Sequence, residues 1–193
     1  MQNIFLDRDG TILENIFYSD TGSYEGPRFK SHIKFIKGAL KALKFLQNSC
    51  NLFIISNQPN ASKEKTSIKC IHKVNNSFKE ILEKKKIKIN GYYYSYHHPK
   101  GVEYISNLNC KQCLGYKRDC ICRKPSNFFL KKVLSKKKYQ NEKNWFIGDR
   151  ETDMKCGNSI KAKTILVTSK KVNKTKALFL RKNLYDALDI ILK

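Results

Sequence analysis

The sequence predicts an α/β fold in which a parallel sheet lies between two layers of helices. Three observations predict it. Five short, unbroken apolar runs are bounded by polar residues, amphipathic helical stretches lie between them, and acidic or polar residues follow several of the runs directly. Unbroken apolar runs suit strands covered on both faces, and their alternation with helices suits parallel connections.

In chain order, the strand candidates are 3–6 (NIFL), 52–56 (LFIIS), 92–96 (YYYSY), 145–148 (WFIG) and 164–168 (TILVT). The helices between them show a period near 3.6. In 38–50 the stripe is Leu40, Leu43 and Leu46; in 66–84 it is Ile68, Ile71, Phe78 and Leu82. Phe129 and Val133 mark 126–136, and Leu184, Leu188 and Ile191 mark the last segment, 183–193. Two segments interrupt the alternation. Residues 14–32 read as a loop, and 97–125 carry HHP, four cysteines and CRKP. Both fall where strands end, the edge at which open α/β sheets bind ligands.

A chain of 193 residues with 40% hydrophobic content suits one domain, 1–193, with a sizeable core. No stretch approaches the ~20 apolar residues of a membrane-spanning helix, and MQNIFLD lacks a secretory pattern. The expectation is a cytoplasmic monomer with reduced cysteines and no membrane partner. The formal net charge is +23, but 33 of the 39 basic residues are lysine, spread along the chain. Arginine is the residue of bidentate phosphate contacts, so a nucleic-acid face ranks behind a positive field that attracts a small anionic substrate.

Asp7 and Asp9 follow the first strand. Alternation turns both to one side and Arg8 away, and Gly10 permits the turn. Two carboxylates this close repel unless a cation offsets them, and Mg²⁺, which prefers oxygen ligands and phosphate, would do so. Alone, DRDG could equally be a capped turn. It is accompanied by SNQ after the second strand, with Ser56, by CRKP before a helix, with Arg123 and Lys124, and by GDRETD after the fourth strand, with Asp149 and Asp153.

These four segments, in this order, resemble the motifs of the haloacid dehalogenase superfamily of phosphohydrolases. FLDRDGTI, SNQ, HHP, CxCRKP and GDRETDM look like the branch that contains D-glycero-D-manno-heptose 1,7-bisphosphate and histidinol-phosphate phosphatases. The resemblance implies a Rossmann-like three-layer domain with a minimal cap, and Mg²⁺-dependent removal of a phosphate from a sugar bisphosphate. Histidinol phosphate or another small phosphomonoester is the alternative, and a nucleic-acid 3′-phosphatase or a zinc-bearing nucleic-acid-binding module ranks last. Asp7 would be the nucleophile and Asp9 the acid/base. Mg²⁺ would sit on Asp7, the Asp9 carbonyl and Asp149, while Ser56 and Lys124 bind the transferring phosphoryl group. Asn57, Gln58, Arg123, Arg150 and Tyr18 would contact substrate. Asp153 would order the metal loop or be an ordinary helix N-terminal charge. Lys63 reads as solvated, His32 and His72 as structural or exposed, and Cys50, Cys70 and Cys156 as buried fillers.

Cys110, Cys113, Cys120 and Cys122 crowd into 13 residues as C-x₂-C and C-x-C, the density of a structural Zn²⁺ site. The resemblance carries over Cys120, Cys122 and His97 as ligands, with Ser95 where the family has another cysteine. The four-cysteine set is preferred because the loop can close it locally, with His97 as the alternative ligand.

Overall fold

A computed structural model describes residues 1–101 and 120–193. Its sheet has six strands, all parallel: β1 (Gln2–Leu6), β4 (Cys50–Asn57), β5 (Gly91–Ser95), β6 (Lys143–Gly148), β7 (Lys163–Val167) and β8 (Phe179–Arg181). The spatial order is β5-β4-β1-β6-β7-β8. β1 is thus central, with Leu6 level with Ile54 and Ile147, so the carboxyl ends of β1, β4 and β6 open on one edge.

Alternation along β1 divides the core. Ile4 and Leu6 face α1 (Ala39–Leu46) and α2 (Ile68–Lys84), joined by Leu43, Phe78 and Leu82. Phe5 faces the opposite way, against Phe53 and Phe146, and is covered by Leu130 and Val133 of α3 (Phe128–Leu134) and Cys156 of α4 (Glu151–Asn158). Each buried Leu or Phe contributes about 1.5–3 kcal/mol, and the apolar runs supply both layers. No helix among the described residues is long and apolar enough to cross a membrane.

Three local features depart from the sequence reading. The loop expected at 14–32 contains an antiparallel hairpin, β2 (Ile16–Tyr18) and β3 (Ser23–Glu25), which stands as a minimal cap. β8 was not expected, since only Phe179 and Leu180 of its three residues are apolar. The final helix, α5, is confined to Leu188–Ile191. Cys50 and Cys156 are buried as expected, whereas Cys70 is partly exposed.

Candidate active site

Asp7 continues β1, its amide donating to the Ile147 carbonyl at 2.9 Å. Its Oδ1 lies 2.7 Å from Lys124 Nζ. The same ammonium lies 2.7 Å from Asp153 Oδ1 and donates to the Ile55 carbonyl at 2.8 Å. Lys124 is buried, which disfavours its charge, but Asp153 and Asp7 more than offset this and hold its pKa above the usual lysine range. Asp153 also accepts from the Arg150 amide at 3.0 Å, closing the first turn of α4. It therefore anchors Lys124 and the loop after β6 together.

Asp149 stands on that loop. Carboxylate oxygens of Asp7, Asp149 and Asp153 all lie within 4.8 Å of one another. Burial first, then Asp7 and Asp153, pushes the Asp149 carboxyl up to about 8. Its Oδ1 is buried with no hydrogen-bond partner, and Gly10, at φ +85°, lies close against the carboxylate, since a Cβ there would fall 2.1 Å from Asp149 Oδ2. Three carboxylates facing one ammonium, with an orphaned buried oxygen, are a donor set suited to a hard divalent cation.

The Asp9 carboxylate is held separately. Arg8 does face away from Asp7 as alternation requires, but it curls back to clasp Asp9 from Nε to Oδ1 at 2.7 Å and from Nη2 to Oδ2 at 3.0 Å. Gln58 Nε2 donates to Asp9 Oδ2 at 2.7 Å and to Ser56 Oγ at 2.8 Å, so it bridges the two strand ends. Ser56 is buried beneath this bridge and does not line the cavity. Asn57 exchanges hydrogen bonds with the Lys124 backbone at 3.1 and 3.2 Å, fixing the lysine's loop on β4.

A cavity of about 400 Å³ opens above Asp7 and Asp9, within the range of small-molecule sites. Lys63, Lys65, Arg123 and Arg150 ring it. His98 reports the resulting field: burial, then Lys63 and Arg123, depress its pKa to about 4. Lys63, expected in solvent, belongs to this rim. Gly26, after the hairpin, lies against Asp9, where a Cβ would fall 2.2 Å from Oδ2. Glu25 ion-pairs with Lys65, and Asn60 Nδ2 donates to the Gly26 carbonyl at 3.2 Å, so the hairpin is tied to the loop after β4. Tyr18 is not brought to the cavity. Its hydroxyl accepts from the Arg28 amide at 2.9 Å and pairs with His32 Nδ1 at 2.8 Å, while the Arg28 guanidinium stacks on its ring. It braces the hairpin base instead, and the hairpin meets the cavity through Ser23, Tyr24, Glu25 and Gly26.

Sequence reasoning missed Arg8, Asn75 and Gly26. Asn75 had a legible signal, as a polar residue on the apolar stripe of α2, in register with Ile71, Phe78 and Leu82.

Behind Arg123, His97 Nδ1 lies 2.9 Å from Cys120 Sγ and 3.6 Å from Cys122 Sγ, and the two sulfurs are 2.6 Å apart. Cys122 also donates to Ser95 Oγ at 3.2 Å. Soft N and S donors gathered this tightly fit Zn²⁺. His97 therefore sits with the two cysteines, as in the alternative ligand set, and Cys110 and Cys113 lie outside the described residues. Arg123 Nη1 donates to the His97 carbonyl at 3.0 Å, tying the cluster to the cavity rim.

A family model described as HAD-hydrolase-like matches residues 121–185. A D-glycero-beta-D-manno-heptose-1,7-bisphosphate 7-phosphatase of Haemophilus influenzae is 29% identical over 161 residues, covering 83% of this chain and 77% of its own. The Helicobacter pylori (strain J99) protein of the same name is 27% identical, covering 97% of this chain and 95% of its own. Among solved structures, a D,D-heptose 1,7-bisphosphate phosphatase from B. bronchiseptica, complexed with magnesium and phosphate, superposes with a TM-score of 0.74 at 16% identity, covering 100% and 98% of the two chains. That likeness establishes the fold.

Proposed function

We propose that this chain, a haloacid dehalogenase-like phosphatase, removes one phosphate from a sugar bisphosphate, with D-glycero-D-manno-heptose 1,7-bisphosphate the first candidate. The observation that carries the reading is the strand-end carboxylate of Asp7. It is held by Lys124, stands beside the unpartnered Asp149 oxygen, and faces a cavity ringed by cations. The names and coverage of the two sequence relatives favour the heptose substrate.

Asp7 attacks phosphorus with the oxygen not paired to Lys124, forming an aspartyl-phosphate as the bond to the sugar oxygen breaks. Lys124 holds Asp7 in orientation, and its charge opposes the negative charge that builds on the transferring group. Asp9 gives its proton to the departing sugar oxygen and then takes one from the water that cleaves the intermediate. Oδ1 is the atom suited to carry that proton, since it accepts one contact from the protein while Oδ2 accepts two. Mg²⁺, held by Asp7, Asp149 and the Asp9 carbonyl, would screen the phosphate's charge from the attacking carboxylate. Arg123 and Arg150, both on the cavity rim, would read a second phosphate; burial and then the nearby Arg150 lower the pKa of Arg123, and an anion between them would offset that repulsion. His97, Cys120 and Cys122 would hold a structural Zn²⁺ that pins the loop presenting Arg123 and Lys124.

Phosphate release from heptose bisphosphate, hexose bisphosphates and histidinol phosphate, with Mg²⁺ and with a chelator, tests the reading. Chelator-sensitive turnover highest on heptose bisphosphate is expected. Equal turnover on every substrate would remove the substrate assignment, and turnover indifferent to Mg²⁺ would remove the mechanism.

A further inference from the structure

Arg8 has no solvent exposure, yet it reaches neither the cavity nor the transferring group. A buried guanidinium is costly unless its donors are matched, and an apolar side chain would fill the same space at less cost. Its donors are matched by Asn75, Gln58 and Asp9. Nη1 donates to Asn75 Oδ1 on α2, Nη2 donates to Gln58 Oε1 at 2.7 Å, and Nε and Nη2 together grip Asp9. The rings of Phe78 and Tyr94 lie against the guanidinium, each 5.9 Å from it. Asn75 Nδ2 donates in turn to Tyr96 Oη at 3.1 Å, so its amide is itself held.

We propose that Arg8, seated on Asn75, is a positioning residue that fixes the Asp9 carboxylate for proton transfer to the leaving oxygen. The inference rests on the proposed phosphatase mechanism. Two features give Arg8 this role. A side-on grip through Nε and Nη2 sets the plane of the Asp9 carboxylate, which one hydrogen bond cannot do. The Nη2 contact to Gln58 Oε1 also decides which way that amide points. With Oε1 occupied by Arg8, the NH₂ of Gln58 must face Asp9 Oδ2 and Ser56 Oγ. Without Arg8, Gln58 loses the contact that anchors its oxygen, and the amide is free to move away from Asp9 Oδ2. Arg8 therefore acts on Asp9 directly and again through Gln58.

The test exploits leaving-group chemistry. A sugar alkoxide must be protonated as it departs, whereas p-nitrophenolate leaves unassisted. kcat/KM is compared for the best-cleaved sugar phosphate and for p-nitrophenyl phosphate, since kcat/KM reports the steps up to formation of the aspartyl-phosphate. Loss of a positioned acid costs about 10²-fold or more. Arg8→Met is expected to lose about that factor on the sugar phosphate and at least tenfold less on p-nitrophenyl phosphate. Arg8→Lys, which keeps the charge but not the fork, should recover part of the difference. If Arg8→Met does not fold, Asn75→Leu leaves Arg8 in place without its seat and is expected to show the same selectivity, smaller in size. Equal losses on both substrates, or none, overturn the proposal. Asp9→Asn is the control. If it shows the leaving-group dependence and the Arg8 and Asn75 variants do not, only this inference fails; if it shows none, the proposed mechanism fails with it.

Discussion

Replacing Lys124 by methionine keeps the length of the side chain and removes its charge. In the folded protein this ammonium is the shared partner of Asp7 and Asp153, at 2.7 Å from each, and it is almost wholly shielded from water. Removing one member of a buried ion pair costs about 3–5 kcal/mol, because the remaining charge is stranded. Here two carboxylates are stranded, with Asp149 close by. For a chain of this size each kcal/mol moves the melting temperature by about 2–4 °C, so a fall of about 6–20 °C is expected at pH 8. The deficit should shrink toward pH 5. A stranded carboxyl has a raised folded pKa, so its proton supports the fold at low pH and that support is lost as pH rises. Mg²⁺ should restore part of the loss. Thermal unfolding of both proteins at pH 5 and pH 8, alongside phosphate release, measures all of this. A variant as stable as the parent at pH 8, or one equally impaired at both pH values, would refute the role assigned to Lys124.

Mg²⁺ itself should raise the melting temperature more at pH 8 than at pH 5. Burial and then Asp7 hold the Asp149 carboxyl near 8 against an ordinary 3.8, so the metal-free fold binds the extra proton and loses stability as pH climbs between these values; a gain independent of pH would contradict this. Gly26→Ala should lower turnover while the fold persists, because the new methyl collides with Asp9 Oδ2 unless the hairpin lifts; unchanged kcat would show that the hairpin does not press on Asp9. Metal analysis should find about one tightly held zinc per chain, and His97→Ala should lose it, because His97 sits 2.9 Å from Cys120 Sγ. Retained zinc in that variant would point to a four-cysteine site.

The sheet was legible where burial on both faces demanded unbroken apolar runs, as in β1, β4 and β6. It was not legible in β8, whose three residues lie on an edge and are partly exposed. The cap hairpin escaped because polar side chains hold it together: Thr21, Ser23, Glu25 and Arg28 bond among themselves rather than packing an apolar face. The acidic site could be read because Asp7 and Asp149 follow strands that end at one edge. Arg8 was placed on the correct side, but its partners could not be foreseen. Alternation fixes the direction of a side chain leaving the strand, and the return of a long guanidinium to its neighbour depends on where Asn75 and Gln58 stand. Tyr18 was misplaced for a related reason, since a hairpin reverses the chain at a point that spacing alone does not reveal.

The most direct test of the central claim is chemical trapping of the intermediate. The reaction with the preferred sugar phosphate is quenched in acid during turnover and reduced with borohydride, and the modified peptide is located by mass spectrometry. Modification at Asp7, absent from Asp7→Asn and dependent on Mg²⁺, is expected. Modification at another residue, or rapid phosphate release by folded Asp7→Asn, would contradict the assignment of Asp7 as the nucleophile.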